Sequence, residues 1–256
     1  GRFFPKADKD DIIRNFRYQE NSSYNSYFTY PQGGAIEYVS SLLRNINKDK
    51  VCLNEELLNI DIEKKIAYTN LRELKYDRLI CTIPLPSLLN MCKLKYQENA
   101  FSCNKVLVFN LGFDEKGNDK VNSWVYVPEK NYIFYRFGYY DNIMKTDKMS
   151  SYVEIGFPEK VKLEKEGLYL EQVLDGLKRM GVITTQKLID YETILMKPAY
   201  VHISKKSIEE TARCKKILSK MDIYSIGRYG SWSYCSIEDN IMEAKTLAAL
   251  SSSQKM

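Results

Sequence analysis

Residues 223–240 read IYSIGRYGSWSYCSIEDN, and this stretch says most about the architecture. Apolar and aromatic residues at 223–226 predict a short strand, the glycines at 227 and 230 predict a turn, and the residues from about 238 onward predict a closing helix. A glycine-rich turn between a strand and a helix can present backbone N–H groups to an anion. Many such turns bind nothing, so this stretch alone leaves both interpretations open.

The rest of the chain combines helical periodicity with strands. In chain order, the pattern predicts a helix over 36–46, short strands at 51–53, 57–62, 66–69 and 76–82, longer strands at 105–113, 123–128, 132–139 and 152–157, an amphipathic helix over 168–180, a strand through 191–203, and a helix over 205–221. Hairpin-length gaps between the longer strands predict an antiparallel sheet. We therefore predict an α+β fold, with flanking helices on this sheet and a small β-meander before it.

The composition excludes several classes of protein. Only 28% of the 256 residues are charged, the net charge is +5, and lysines alternate with glutamates at 159–166, so we predict no nucleic-acid partner. No apolar run approaches the ~18 residues of a membrane span. The six cysteines show no CxxC spacing, which predicts free thiols and a cytoplasmic location. One histidine, His202, is too few for a multi-histidine metal site, and the glycines nowhere form GxGxxG. We predict no metal.

Tyrosine is unusually frequent, with 20 Tyr against 10 Phe. A tyrosine offers a flat apolar ring together with a hydroxyl. Tyr126 and Arg136 lie on successive predicted strands, where they can face the same side of the sheet. Arginine and tyrosine together suit the phosphate of a sugar- or nucleotide-like ligand. Alternatively, the aromatic residues pair across strands and Arg136 forms a surface ion pair; both interpretations remain open.

Several of these stretches resemble known families. FTYPQGG at 28–34, LNEELLNI at 53–60 and YDRLICTIP at 76–84 resemble the later part of an amine-oxidase-type FAD domain, whose β-meander lies over the adenine end of the cofactor. WVYVPE at 124–129, FYR at 134–136 and GRYGSWSY at 227–234 resemble the UDP-galactopyranose mutase family within that superfamily. The resemblance covers nearly the whole chain, and GRYGSW is its most specific part.

The resemblance implies a division into three parts. Residues 1–90 would be the C-terminal part of the FAD-binding domain, 91–221 the substrate domain with its antiparallel sheet, and 222–256 the return strand, GRYGSW loop and closing helix of the FAD domain. It also implies FAD as cofactor. Because the N-terminal βαβ unit with its glycines is missing, we expect this chain to be a fragment that holds FAD weakly or not at all.

The resemblance also assigns individual residues. The positions matching the two arginines that hold the substrate diphosphate, and so carry the catalytic role, are Arg136 and Arg228. The other positions matching substrate contacts are Tyr126, Tyr200 and Tyr234 at the diphosphate, and Asn25 and Arg2 at the sugar. Those on the flavin side are Leu57 through its backbone, Gly227, Glu238, Asp239 and Asn240.

The implied activity is the isomerisation of a nucleotide sugar such as UDP-galactose from pyranose to furanose, through a covalent bond between flavin N5 and the sugar. One departure is that residues 235–240 read CSIEDN where the family usually carries a Gly-Asn-Gln run. Two alternatives stay open. The chain could belong to an oxidoreductase of the amine-oxidase or protoporphyrinogen-oxidase type, or it could be a non-catalytic module that binds nucleotide sugars.

Overall fold

The computed structural model describes residues 29–253, and the chain divides into two compact units between Glu55 and Glu56. In the first unit, the expected helix is α1 (Ile36–Leu43), followed by a 3-10 turn at Lys48–Lys50. No side chain of α1 is buried, although its apolar residues are spaced as one helical face. Residues 51–53, predicted as a strand, form none.

The second unit contains the strands and most of the helices that the structure describes. In chain order its elements are β1 (Leu57–Asp61), β2 (Ile66–Thr69), β3 (Glu73–Lys75), β4 (Leu79–Cys81), α2 (Leu85–Met91), a 3-10 turn (Glu98–Ala100), β5 (Asn104–Phe113), β6 (Trp124–Tyr126), β7 (Arg136–Tyr139), α3 (Tyr140–Met144), β8 (Ser150–Pro158), α4 (Glu166–Arg179), β9 (Leu188–Met196), α5 (Lys205–Ser219), β10 (Ile223–Ser225), α6 (Gly227–Gly230) and α7 (Ile237–Ser253). This mixture of helices with antiparallel strands confirms the predicted α+β class.

Strands β1, β2 and β3 form a meander, with each strand antiparallel to the next. Its first two strands were predicted, but β3 was not, and the strand predicted at 76–82 belongs to another sheet. The turn between β1 and β2 is closed by Asp61, whose Oδ1 accepts the N–H groups of Glu63 and Lys64 at 3.1 and 2.9 Å. A short side chain that bonds the backbone two or three residues later stabilises such a turn.

Strands β4 and β10 form a separate parallel pair, although more than 140 residues lie between them. One face of the pair packs on helices α2 and α5. The fully buried side chains of this core are Leu85, Leu88, Leu89, Leu218 and Ile223. Burial of these residues joins two distant segments of the chain into one hydrophobic core.

The largest sheet has five strands in the order β6-β7-β8-β5-β9, all antiparallel. One face is apolar and packs against α4 through residues such as Val173 and Leu177, which are 0% exposed. The sheet contributes Phe109, Phe137 and Val153 to the same core. The opposite face carries the polar residues of the candidate site.

Several predicted strands differ from the observed ones in their bounds. The strand expected over 76–82 is shorter, since β4 covers only Leu79–Cys81, and the one expected from 132 begins at Arg136. The strand expected to reach residue 203 ends at Met196. Pro198 follows it, and proline has no N–H for a sheet ladder.

Candidate functional site

The register of the sheet brings three charged or polar side chains into one row. Tyr126 on β6 lies opposite Arg136 on β7, which in turn lies opposite Glu154 on β8. Residues directly opposite one another in antiparallel strands share a face of the sheet. The predicted common orientation of Tyr126 and Arg136 is therefore confirmed, and the face is the one opposite α4.

The guanidinium of Arg136 contacts two tyrosine hydroxyls. Nη1 donates to Tyr126 Oη and Nη2 donates to Tyr200 Oη, both at 3.3 Å. The guanidinium carbon also lies 5.6 Å from the centre of the Tyr126 ring. Two tyrosines that lie 10 and 64 residues away from Arg136 along the chain thus contact the same guanidinium.

The buried carboxylate of Glu154 holds Arg136 in place. Arg136 Nε donates to Glu154 Oε1 at 3.0 Å, Nη2 donates to the same oxygen, and Tyr135 Oη donates to Oε2. Glu154 is 5% exposed. Burial would lower the pKa of Arg136, but its hydrogen bonds and charge pairing with Glu154 raise the pKa above its ordinary range. The ion pair that the alternative interpretation places on the surface is in fact largely buried.

Burial and Glu154 also act on the neighbouring phenols. Burial, followed by the hydrogen bond to Glu154, raises the pKa of Tyr135 far above its ordinary value. Burial raises the pKa of Tyr152 to about 12, against a lowering effect of Arg136. Gly138 makes room for this ring, because a Cβ at position 138 would stand 2.3 Å from Tyr152 Cε1. Both hydroxyls therefore stay protonated at neutral pH.

The second arginine reaches the same place from the one-turn helix α6. The guanidinium carbon of Arg228 lies 5.5 Å from the centre of the Tyr200 ring and 4.7 Å from that of Tyr234. Its Nη1 donates to the carbonyl oxygen of Cys235 at 3.3 Å. Tyr200 therefore touches both arginines, one through its hydroxyl and the other through its ring.

Asn104 fixes the backbone that carries Tyr200. Its side-chain Oδ1 accepts the Tyr200 N–H at 2.8 Å, its own N–H donates to Tyr200 O at 3.0 Å, and its carbonyl accepts the Ala199 N–H at 2.9 Å. Tyr229 Oη adds a bond to Ala199 O at 3.3 Å. Tyr200 lies outside the regular strands, yet its backbone N–H and carbonyl oxygen are both hydrogen-bonded, as they would be within a sheet.

The five residues that the sequence assigns to the diphosphate converge, and their charges favour an anion. Tyr126 and Tyr234 are 45% and 46% exposed, so a ligand can reach them. Glu154 neutralises Arg136, whereas no carboxylate between residues 29 and 253 forms an ion pair with Arg228. Two guanidinium groups and three phenols at one sheet face suit the planar, multidentate recognition of phosphate oxygens.

Two of the residues assigned to the flavin, Gly227 and Asn240, lie near the carboxyl ends of the parallel strands β4 and β10. Gly227 has φ +81°, and a Cβ there would stand 3.5 Å from Asn240 Oδ1 and 3.9 Å from the side chain of Thr82. Nucleotides bind at the carboxyl ends of parallel strands, where the backbone can approach them closely. Thr82 and Asn240 therefore lie beside Gly227 at this end of the two strands, which is the position where a nucleotide would approach the backbone.

The remaining flavin-side residues have other surroundings. Asp239 forms a capping box with Ser236: its Oδ2 accepts the Ser236 N–H at 2.7 Å, and Ser236 Oγ accepts the Asp239 N–H at 3.1 Å. The bonds from the Ser236 N–H and hydroxyl lower the pKa of Asp239. Glu238 is exposed in the same helical turn. Leu57 begins β1, next to an irregularity in its pairing with β2.

Arg2 and Asn25, assigned to the sugar, lie outside the described residues. Their roles, like the other residue assignments and the division at residues 90 and 221, stay predictions.

Sequence reasoning missed Glu154, Tyr135 as its donor, and Asn104. Glu154 had a readable signal, because it is the one acidic residue inside the otherwise apolar or small stretch 150–157. Asn104 had none, since its role depends on the distant Tyr200. Within residues 29–253, no group of three or more metal-ligating side chains could hold an ion, and no helix has the length and apolar character to cross a membrane.

Comparisons with known proteins show the family and the fold of the chain. The sequence model of the family described as flavin containing amine oxidoreductase matches residues 6–197. No curated protein sequence matches the chain. A crystal structure of reduced UDP-galactopyranose mutase is similar, with 21% identity, a TM-score of 0.77, and coverage of 89% of this chain and 54% of that chain.

A second solved structure, described as a protoporphyrinogen oxidase from Exiguobacterium sp. 255-15, has 14% identity and a TM-score of 0.69, covering 88% of this chain and 54% of that one. A fatty acid isomerase from P. acnes that produces CLA has 14% identity and a TM-score of 0.55, covering 77% and 47%. The chain spans about half the length of these structures, and at such identities the likeness concerns the fold.

Proposed function

Since the chain belongs to the family of flavin-containing amine oxidoreductases, we propose that it is the substrate-binding part of an FAD-dependent enzyme that isomerises a nucleotide sugar, with UDP-galactose as the model substrate. One observation carries the proposal: Arg136 and Arg228 meet at Tyr200, with Tyr126 and Tyr234 beside them. Two guanidinium groups and three phenol hydroxyls are hydrogen-bond donors that suit the oxygens of a diphosphate. The proposal includes a cytoplasmic location and no nucleic-acid or membrane partner.

The arginines bind and orient the substrate. Breaking the bond between the anomeric carbon and the diphosphate leaves negative charge on a phosphate oxygen, and donors already in place stabilise it without reorganisation. Arg228 supplies the charge that no carboxylate of residues 29–253 neutralises, and Arg136 supplies directed N–H groups held by Glu154. The phenols of Tyr126, Tyr200 and Tyr234 complete this set of donors for the diphosphate.

A bound reduced flavin would supply the nucleophile for the anomeric carbon. Gly227 and Asn240 would border it, because they lie next to each other where β4 and β10 end. The single histidine is consistent with this, because His202 is exposed and its ring forms a hydrogen bond with Ser102 at 2.9 Å.

The test uses the purified full-length enzyme that contains this chain, with its FAD reduced by dithionite, and UDP-galactopyranose, with chromatographic detection of the furanose. We expect Arg136→Ala and Arg228→Ala each to lower kcat/KM at least about a hundredfold, the effect of losing a charged donor in the transition state. Arg179→Ala is the matched control, since Arg179 also covers a tyrosine ring, at 4.8 Å, but lies on α4 beyond the opposite sheet face. Full activity in both site variants would refute the diphosphate assignment.

A second candidate is an oxidoreductase that transfers hydride from an apolar substrate to FAD. The same sheet face supports it, because Ile194 and Met196 on β9 lie opposite Val108 and Val106 and are 46% and 37% exposed. An observation against this candidate is that the Arg136 side chain lies over the sheet face and is only 22% exposed, whereas an apolar substrate would favour an arginine turned outward into solvent. Flavin reduction by an apolar donor without UDP-sugar turnover would favour this candidate, whereas UDP binding without any turnover would favour the non-catalytic module.

A further inference from the structure

One carboxylate contacts both ends of the turn that carries Arg228. Glu243 on α7 accepts the N–H of Gly227, the first residue of α6, through Oε2 at 2.7 Å. Its other oxygen, Oε1, accepts the hydroxyl of Ser231, the residue just after α6, also at 2.7 Å. Arg228 lies between these two anchor points.

Lys215 on α5 ties this arrangement to the rest of the second unit. Its Nζ lies 3.1 Å from Glu243 Oε1 and 2.8 Å from Ser231 Oγ. The side chains of Lys215 and Glu243 are 34% and 32% exposed. Burial would raise the pKa of Glu243, but hydrogen bonds from Ser231, Gly227 and Lys215 bring the pKa below its ordinary value. The carboxylate is therefore charged at neutral pH and below.

The turn needs external support, because it is a single helical turn that begins with a glycine in the left-handed region, at φ +81°. One isolated turn fixes several dihedral angles for one or two hydrogen bonds and has no stability of its own. Arg228 is placed by this backbone, and its guanidinium must reach the rings of Tyr200 and Tyr234 at the same time.

We propose that Glu243 is a positioning residue for Arg228: its two oxygens hold both ends of α6 and so determine where the guanidinium lies above Tyr200 and Tyr234. The inference rests on the proposed function, in which Arg228 binds a diphosphate. Glu243 would affect ligand binding only through the position of Arg228, because its own hydrogen bonds are to Gly227, Ser231 and Lys215.

The experiment measures the binding of UDP and of inorganic pyrophosphate to the purified protein by calorimetry. We expect Glu243→Gln to weaken binding about tenfold and Glu243→Ala to weaken it further, because a binding group displaced by about 1 Å loses much of its effect. The amide of Gln keeps one acceptor oxygen, which is why its loss is smaller. Glu209→Gln on α5 is the control, since Glu209 is exposed and its ion-pair distance to Lys205 is 3.9 Å.

A double-mutant cycle separates positioning from a general structural role. If Glu243 acts through Arg228, Glu243→Gln has no further effect on binding in an Arg228→Ala background. A structural role would weaken binding in both backgrounds by the same factor. In turnover, KM for the nucleotide sugar should rise more than kcat falls, as expected when ground-state and transition-state binding are lost together.

The binding measurements distinguish failure of the proposed function from failure of the inference about Glu243. If the wild type binds neither UDP nor pyrophosphate, the proposed function fails and the inference fails with it. If the wild type binds and Arg228→Ala weakens binding, but Glu243→Gln binds like the wild type or is additive with Arg228→Ala, only the inference is overturned. Should Glu243→Gln not fold, Ser231→Ala removes one end contact alone, and we expect it to weaken binding about threefold; unchanged binding there would contradict the inference.

Discussion

At the residue scale, Arg136 serves two partners at once. It faces the ligand side of the sheet, and it also balances Glu154, a carboxylate that is 5% exposed. A buried carboxylate that loses its cation destabilises the folded state strongly, whereas replacing both partners is much less costly. Loss of activity on mutating Arg136 alone would therefore combine a binding effect with a folding effect.

This dual role gives a prediction about stability. Arg136→Met should lower the free energy of unfolding by about 3 kcal/mol, because Glu154 is left buried without a cation. The double variant Arg136→Met/Glu154→Gln should recover at least about 1 kcal/mol of that loss. Urea unfolding of the wild type, both single variants and the double variant measures the cycle. Strict additivity of the two single effects would contradict the prediction.

At the scale of elements, helix α5 is attached by a carboxylate near its middle. Glu210 accepts the N–H of Gln97 at 2.8 Å, and Arg213 donates to it from the next turn of the helix at 2.8 and 2.6 Å. The hydrogen bond from Arg213 is the main reason why the pKa of Glu210 falls to about 2, against the opposing effect of burial. The link therefore depends on the charged form of Glu210.

The lowered pKa predicts how the link responds to acid. A carboxylate whose pKa is lower in the folded protein stabilises the fold above its ordinary pKa, and this contribution disappears as pH falls from about 4.5 toward 2. Glu210→Gln should thus cost about 2 kcal/mol at pH 7, and progressively less below pH 4.5. Urea unfolding across this range checks it, with Glu209→Gln as the exposed control; an equal loss at every pH would contradict the assignment.

Elements with strong local patterns could be predicted from the sequence, and those ended by distant partners could not. The amphipathic helix α4, the strand β5 and the helix α5 match their predicted ranges closely. Strand β7 begins later than expected, because its partner β8 faces only residues 136–139. Such pairing depends on register, which no local pattern contains.

At the scale of the whole molecule, the same limit applies to the site. The arginines and tyrosines were predicted because their residue types and spacings match a known pattern. The support beneath them, Glu154 and Asn104, depends on which strands and loops become neighbours. A sequence pattern thus identifies the converging arginines and tyrosines more readily than the residues that hold them in place.

The parallel pair β4–β10 predicts that distant segments unfold together. Ile223 is 0% exposed in the core that unites α2, α5 and β10, so Ile223→Ala should cost about 3 kcal/mol. The loss should appear in hydrogen exchange of the Leu79 amide, which donates to Asp222 O at 2.9 Å. Ile189→Ala, at a position 68% exposed, is the control. Unchanged exchange at Leu79 in Ile223→Ala would contradict this coupling.

The same pairing sets the order of events on the ribosome. Strand β4 leaves the exit tunnel long before β10 is translated, and the gap of more than 140 residues takes on the order of ten seconds to synthesise. During that time Leu85 and Leu88 have emerged, but Leu218 and Ile223, which bury them, have not. The part of this core that is made first therefore stays exposed until nearly the last part has emerged.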